Sequence, residues 1–212
     1  DIHDQAGESI VKNYSSATIS AANFTSLDRI VYTTRDRFGN AESQKVWSYN
    51  DEARAQLREY RVVVNDFNNA DGSDNPAARK LGNARVSTST RWTNDTPTKV
   101  IVDETVTTTT LFDSLGRALN QTQLTKVWNG ATLVNAQRNE IVFENYNNRN
   151  DAATQRITSY RIDAGSPDTL IDHKVFTNRN FDASHNVTNQ MVLTYSAPTS
   201  TTPLDVQEIR SS

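Results

Sequence analysis

The chain has 212 residues, a formal net charge of −3 and no cysteine. A disulfide framework, thiol catalysis and cysteine-based metal sites are therefore excluded, and no basic surplus favours nucleic acid. Hydrophobic residues make up only 35%, and Val, Ile, Leu and Phe together number 45, just above the roughly 20% level below which a highly charged chain stays disordered. A folded chain this poor in apolar residues has a thin core. Val plus Ile outnumber Leu by 27 to 11, while Thr occurs 26 times and Asn 22 times. β-Branched residues suit a pleated surface and Asn suits turns, so the expected class is all-β. No apolar run reaches 18 residues, and no membrane insertion is expected. The chain opens at Asp1 without an initiator Met or signal pattern, as expected of a processed protein or an excised piece of a larger one; the repeats favour the piece.

The sequence repeats itself. Residues 1–29 read as a partial preceding unit, followed by units over roughly 30–105 and 106–174 and a partial one over 175–212, all within a single repetitive domain. Asp36 and Gly39 recur as Asp113 and Gly116, 77 residues on, and Lys45-Val46-Trp47 recurs as Lys126-Val127-Trp128. Arg85-Val86-Ser87-Thr88 matches Arg156-Ile157-Thr158-Ser159, and Phe112-Asp113 matches Phe181-Asp182. A unit of this length is one supersecondary element that buries its face on its neighbours.

Two kinds of turn alternate. The first follows an aromatic residue paired with Asp or Asn: Phe67-Asn68, Phe112-Asp113, Tyr146-Asn147 and Phe181-Asp182, with Arg35-Asp36 keeping only the Asp. The second follows an aromatic strand end at Trp47, Trp92, Trp128, Tyr160 or Tyr195. This is strand–turn–strand punctuation. Between turns, Val100, Val102, Val106 and Phe112 fall on one face, and Lys99, Asp103, Thr105, Thr107 and Thr109 on the other. Val187, Met191, Leu193 and Tyr195 share a face opposite Thr188, Gln190 and Thr194. Two segments depart from the pattern. Residues 51–59 could form a short helix capped by Asn50 or Asp51, although their partner in the repeat, 130–139, has no helical character. Residues 68–82, rich in Asn, Asp, Gly and Ala, read as a long surface loop.

Catalytic and metal signals are weak. The histidines His3, His173 and His185 form no ligand spacing. Asp71-Gly72-Ser73-Asp74-Asn75 offers oxygen ligands that could hold Ca²⁺, but without the EF-hand spacing or closing Glu it reads as a solvated loop. Asn13, Asn23, Asn94, Asn120 and Asn186 fit the glycosylation sequon, as chance predicts in a chain so rich in Asn and Thr. No catalytic residue, metal or cofactor is expected. Trp47, Trp92, Trp128, Tyr160 and Tyr195 would make a stacking ladder for a glycan if exposed. Buried, they would be a seam joining hairpins, and the repeat favours the seam.

Phe112-Asp113-Ser114-Leu115-Gly116-Arg117 resembles the core of the Rhs/YD repeat, in which a Tyr-Asp pair is followed two residues later by Gly-Arg. Asp36-Arg37-Phe38-Gly39-Asn40 and Phe181-Asp182-Ala183-Ser184-His185-Asn186 are more distant copies. The resemblance implies hairpins wound into long sheets that form shells or rods on secreted and cell-surface proteins.

The expectation is an all-β fold of tandem antiparallel hairpins, stacked as a β-solenoid or a long twisted sheet. The expected role is a non-enzymatic structural segment of an extracellular or cell-surface protein, joining copies of itself or further repeats edge to edge. The alternative is an adhesin-like module that binds glycan or protein through the aromatic ladder or the 68–82 loop. If Gly116 closes its turn at positive φ, Gly116→Val should destabilise by about 1 kcal/mol or more, read as a lowered melting temperature.

Overall fold

The computed structural model describes residues 6–211; His3 lies outside them. Twelve strands follow one another: β1 (Glu8–Tyr14), β2 (Phe24–Arg35), β3 (Ala41–Tyr49), β4 (Leu57–Asp66), β5 (Val86–Trp92), β6 (Ile101–Phe112), β7 (Ala118–Trp128), β8 (Leu133–Tyr146), β9 (Ala152–Arg161), β10 (Thr169–Phe181), β11 (Val187–Tyr195) and β12 (Asp205–Arg210). They form one antiparallel sheet in the order β1 to β12. Of the two arrangements expected, tandem hairpins lie in a continuous meander rather than a solenoid.

The chain divides into two compact units. The first comprises Asp1–Asn75, Ala84–Val106 and Val127–Val134; the second comprises Pro76–Asn83, Thr107–Lys126 and Asn135–Ser212. In the first unit the buried apolar residues are Leu27, Tyr60 and Phe67; in the second they are Ala78, Ala118, Ile141 and Val192. Polar residues are buried beside them. Ser26 accepts the Asn13 amide at 2.9 Å, and Ser48 donates to Asp28 at 2.5 Å. In the second unit, buried Thr109 receives the Gln121 amide at 3.1 Å.

The alternation read from β6 and β11 is present, but polarity does not sort the two faces. Thr109 is buried while Leu111 is exposed, and Val192 is buried on the face of β11 that carries Thr188, Gln190 and Thr194. With no second sheet among the described residues, neither face is wholly an interior.

Two local expectations change. Residues 51–55 form a turn rather than a helix. The Asp51 carboxylate accepts the N–H groups of Ala55 and Gln56 at 3.0 and 2.6 Å, and Arg54 takes φ 61°. The strand then resumes at Leu57, opposite Tyr49, as hairpin register demands. The 68–82 segment is not simply a loop. It contains α1 (Pro76–Lys80), in which Ala78 is 1% exposed.

Within the second unit, α1 sits against the 113–117 turn. Asn83 Nδ2 donates to the Gly116 carbonyl at 3.0 Å, and a Cβ on Gly116 would lie 2.3 Å from the Ala77 carbonyl carbon. Gly116 has φ 84°, and Gly165 has φ 80° with nothing within 4 Å of a built Cβ. Gly165→Ala therefore carries only the backbone cost, about 1 kcal/mol. Gly116→Ala adds a collision with backbone and should cost about 2–4 kcal/mol. Urea unfolding of the two variants checks the difference, and equal costs would contradict the docking of α1.

Candidate functional site

One five-residue turn recurs through the chain, set by an oxygen acceptor at its first position. In the first unit, Asp36 Oδ1 accepts the N–H groups of Phe38 and Asn40, both at 2.9 Å. In the second, Asp113 accepts from Leu115 and Arg117 at 2.9 Å, Asn147 from Arg149 and Asp151 at 2.8 and 3.0 Å, and Asp182 from Ser184 and Asn186 at 2.8 and 2.9 Å. The fourth residue always lies at positive φ: Gly39 at 90°, Gly116 at 84°, Asn150 at 67° and His185 at 68°. The acceptor fixes the turn, and Asn serves as well as Asp.

The turn after β4 is built differently from the expected Phe67-Asn68 start. Asp66 is the acceptor, taking the Asn68 N–H at 3.0 Å and the Arg85 guanidinium at 2.5 Å, while Phe67 is buried. The inserted residues lie between these two ends. A turn does follow Phe67-Asn68 inside the insertion, where the Asn69 N–H donates to the Ser73 carbonyl and the Gly72 N–H to the Asn69 carbonyl, with Gly72 at φ 82°. Phe112, Tyr146 and Phe181, the other pre-turn aromatics, are half-buried.

The aromatic positions do not form one seam. In the first unit Arg29, Trp47, Tyr60 and Trp92 face one another in register across β2 to β5. Arg29 lies 4.9 Å from the Trp47 ring, Trp47 is 5.2 Å from Tyr60, and Lys99 lies 5.1 and 4.6 Å from Tyr60 and Trp92. Tyr60, which the repeat did not single out, is the buried centre of this row; its place opposite Trp47 needs the register to be seen. Trp47 Nε1 donates to Asp95 at 2.9 Å, and Trp128 is 37% exposed. In the second unit Tyr160 faces Arg138, whose guanidinium is 4.4 Å from the ring, and Tyr195 faces His173 at 6.2 Å. Trp47, Trp92 and Tyr160 thus each carry a cation on a face that a sugar would use, held by attraction to the ring quadrupole, and Tyr60 is buried.

His173 is buried, with Nδ1 2.9 Å from the Thr158 hydroxyl. Burial, aided by Arg156, holds its pKa below the usual histidine value. In the 71–75 loop, Asp71 accepts the Ser73 N–H and hydroxyl, and Asp74 pairs with Arg37 at 2.8 Å. One oxygen of each carboxylate is thus engaged by a protein donor, and no metal-binding cluster is found among the described residues.

A groove of about 460 Å³ lies in the second unit where α1 meets the turn row, lined by Lys80, Arg117, Tyr146, Arg149, Asp151 and His185, among others. Arg117 stacks over Tyr146 at 4.6 Å, and Tyr146 donates to the Ala118 carbonyl at 2.5 Å. His185 Nδ1 lies 2.6 Å from Asp151 Oδ1, and Arg149 donates to the carbonyls of Asp182 and Ala183 at 2.7 and 3.2 Å. These bonds clasp two neighbouring turns together. His185 thus has a defined partner that no local sequence signal gave, since Asp151 is 34 residues away.

No family model matches the chain, and no curated protein matches it. Among solved structures, a protein of unknown function from Bacteroides fragilis NCTC 9343 is similar at 11% identity, covering 79% of this chain and 91% of that one, with a TM-score of 0.38.

The acid response follows from these pairs. For Asp113, burial works to raise the pKa but is outweighed by the Arg117 N–H and guanidinium and by the Leu115 N–H; for Asp182, the Asn186 amide and backbone donors lower it. A depressed carboxyl contributes stability that is present above about pH 4 and lost as pH falls through the folded value. Depressed His173 contributes stability present above its ordinary value of about 6.5 and lost below it. Melting temperature should therefore hold at neutral pH, decline below about 6.5 and decline again below about 4. His173→Gln should remove the first decline. Asp113→Ala leaves two turn N–H groups without their acceptor and should cost about 2 kcal/mol, while Asp113→Asn keeps Oδ1 and should cost less than half of that. Chemical denaturation distinguishes the two.

Proposed function

We propose that the chain is a non-enzymatic structural segment of a large extracellular or cell-surface protein. It supplies a stretch of repetitive β-sheet whose outer strands add to further repeats or to a second copy. The observation that carries this reading is β12. All six of its residues are exposed, it pairs among the described residues only with β11, and Val206 and Ile209 are 59% and 47% exposed. An outer strand with free N–H and C=O groups and apolar side chains is a template for another strand. Four copies of one acceptor-capped turn support a modular, repetitive role, and the YD-like string supports a place on secreted or surface proteins. The aromatic rows favour a structural role over sugar binding, because cations already cover ring faces.

Light scattering and electron microscopy of the purified chain should show concentration-dependent assemblies with a regular repeat. Val206→Lys with Ile209→Lys should abolish them while leaving the far-ultraviolet circular dichroism unchanged, since both side chains are exposed. A monomer at high concentration, or assembly indifferent to both substitutions, would overturn the reading.

A further inference from the structure

We propose that the groove beside α1 is a binding site for a compact oxyanion: the carboxylate, sulfate or phosphate group of an acidic ligand. This goes beyond the structural role and does not depend on it.

The argument is one of donors and acceptors. The carboxylates in and behind the groove are occupied by the turns themselves. Asp151 has a side chain only 7% exposed and accepts from Asn147, at 3.0 Å, and from His185. Asp113 accepts from Leu115 and Arg117, and Asp182 from Ser184 and Asn186. The nearby carbonyls of Gly116, Ala118, Asp182 and Ala183 take donors from Asn83, Tyr146 and Arg149. The donor groups lie further out: the side chains of Arg149 and His185 are 43% and 55% exposed. Lys80 has no ion-pair partner among the described residues. The open lining therefore presents N–H groups in excess of acceptors, and the group that satisfies them is rich in oxygen acceptors and negatively charged.

The site is also built rather than incidental. Of the recurrent turns, the 113–117 turn is the one against which α1 packs, and the wall bearing Lys80 comes from the inserted segment. His185 is held by a carboxylate through Nδ1, which leaves Nε2 as its other nitrogen.

The test uses the full chain and three probes: inorganic sulfate, inorganic phosphate and a glucuronate-containing tetrasaccharide. Each is titrated at constant ionic strength against chloride and followed by amide NMR shifts. Saturable shifts confined to residues 80–83, 149–151 and 185 are expected. Lys80→Gln, which removes a side chain without a partner and should leave the melting temperature unchanged, should weaken binding by about threefold to tenfold. Tighter binding of the tetrasaccharide would place the oxyanion on a sugar, and tighter binding of the inorganic ions would make it a free anion. The absence of saturable shifts in the groove with all three probes would overturn the proposal. So would an unchanged affinity in both Lys80→Gln and Arg149→Gln.

Discussion

A sheet with no second layer among the described residues has little inside, and the rest of this structure answers to that constraint. The accessible surface is 12420 Å², against about 9,800 Å² for a globular protein of this mass. Burial of apolar area is correspondingly small, so cohesion comes from side chains that meet across strands. Each such pair contributes about 0.2–1 kcal/mol, and a cation over an exposed ring about 0.5–1 kcal/mol. Arg91 shows the logic. It faces Arg61 in register, a like-charge pair that would repel, but it pairs with Asp103 and Glu59, while Arg61 pairs with Glu59. Alternating sign across the face turns a liability into a network. The low hydrophobic content is thus the composition such a sheet requires.

The same constraint places unusual weight on the turns. Where neither face is strictly buried, a one-residue slip costs little, and side-chain patterning fixes register weakly. An acceptor that captures two N–H groups at a set distance makes the turn a fixed point from which pairing is counted. The hairpins closed at 36–40 and 182–186 both carry register shifts just before the turn, at Tyr32/Thr34 and Thr34/Arg35 and at Asn178/Asn180 and Asn180/Phe181. Before 147–151 the β8–β9 register runs on without a shift, although Asn145 takes φ 58°. Bulges of this kind bend a strand and increase its local twist, and here they recur with the turn.

Most of the fold was legible because its signals are local. Strand length, alternation and turn residues lie within a few positions of each other, and the Asp-x-x-Gly spacing carries its own hydrogen-bond logic. What was not legible depended on distance or on degeneracy. Tyr146-Asn147 marks its turn in the sequence, but Asn150 takes the positive-φ place of Gly116 with no identity to show it. Tyr60 gains its place from register with Trp47 and Trp92. Asp66 closes on Arg85 across the 18 residues 67 to 84, a pairing that the turn signal at Phe67-Asn68 does not reveal. The groove was the least visible feature, because it joins residues 80, 117, 149 and 185 that no single repeat contains. The 51–59 segment misled for an opposite reason: its local helix propensity is real, but Leu57 and Tyr60 are needed as strand partners of Tyr49 and Trp47.

Strand order equal to chain order has a kinetic consequence. Strands adjacent in the sheet are adjacent in the sequence, so few contacts require the closure of a long loop. Loop-closure entropy is then low for a β protein, and folding is faster than in sandwiches of similar length, where distant strands must find each other. Any hairpin can start the process, and its neighbours add by zippering, as in other repeat arrays. The reverse also holds. Among the described residues β1 and β12 pair on one side only, and a strand held on one side opens at lower free energy than one held on both, so stability varies along the sheet rather than being uniform.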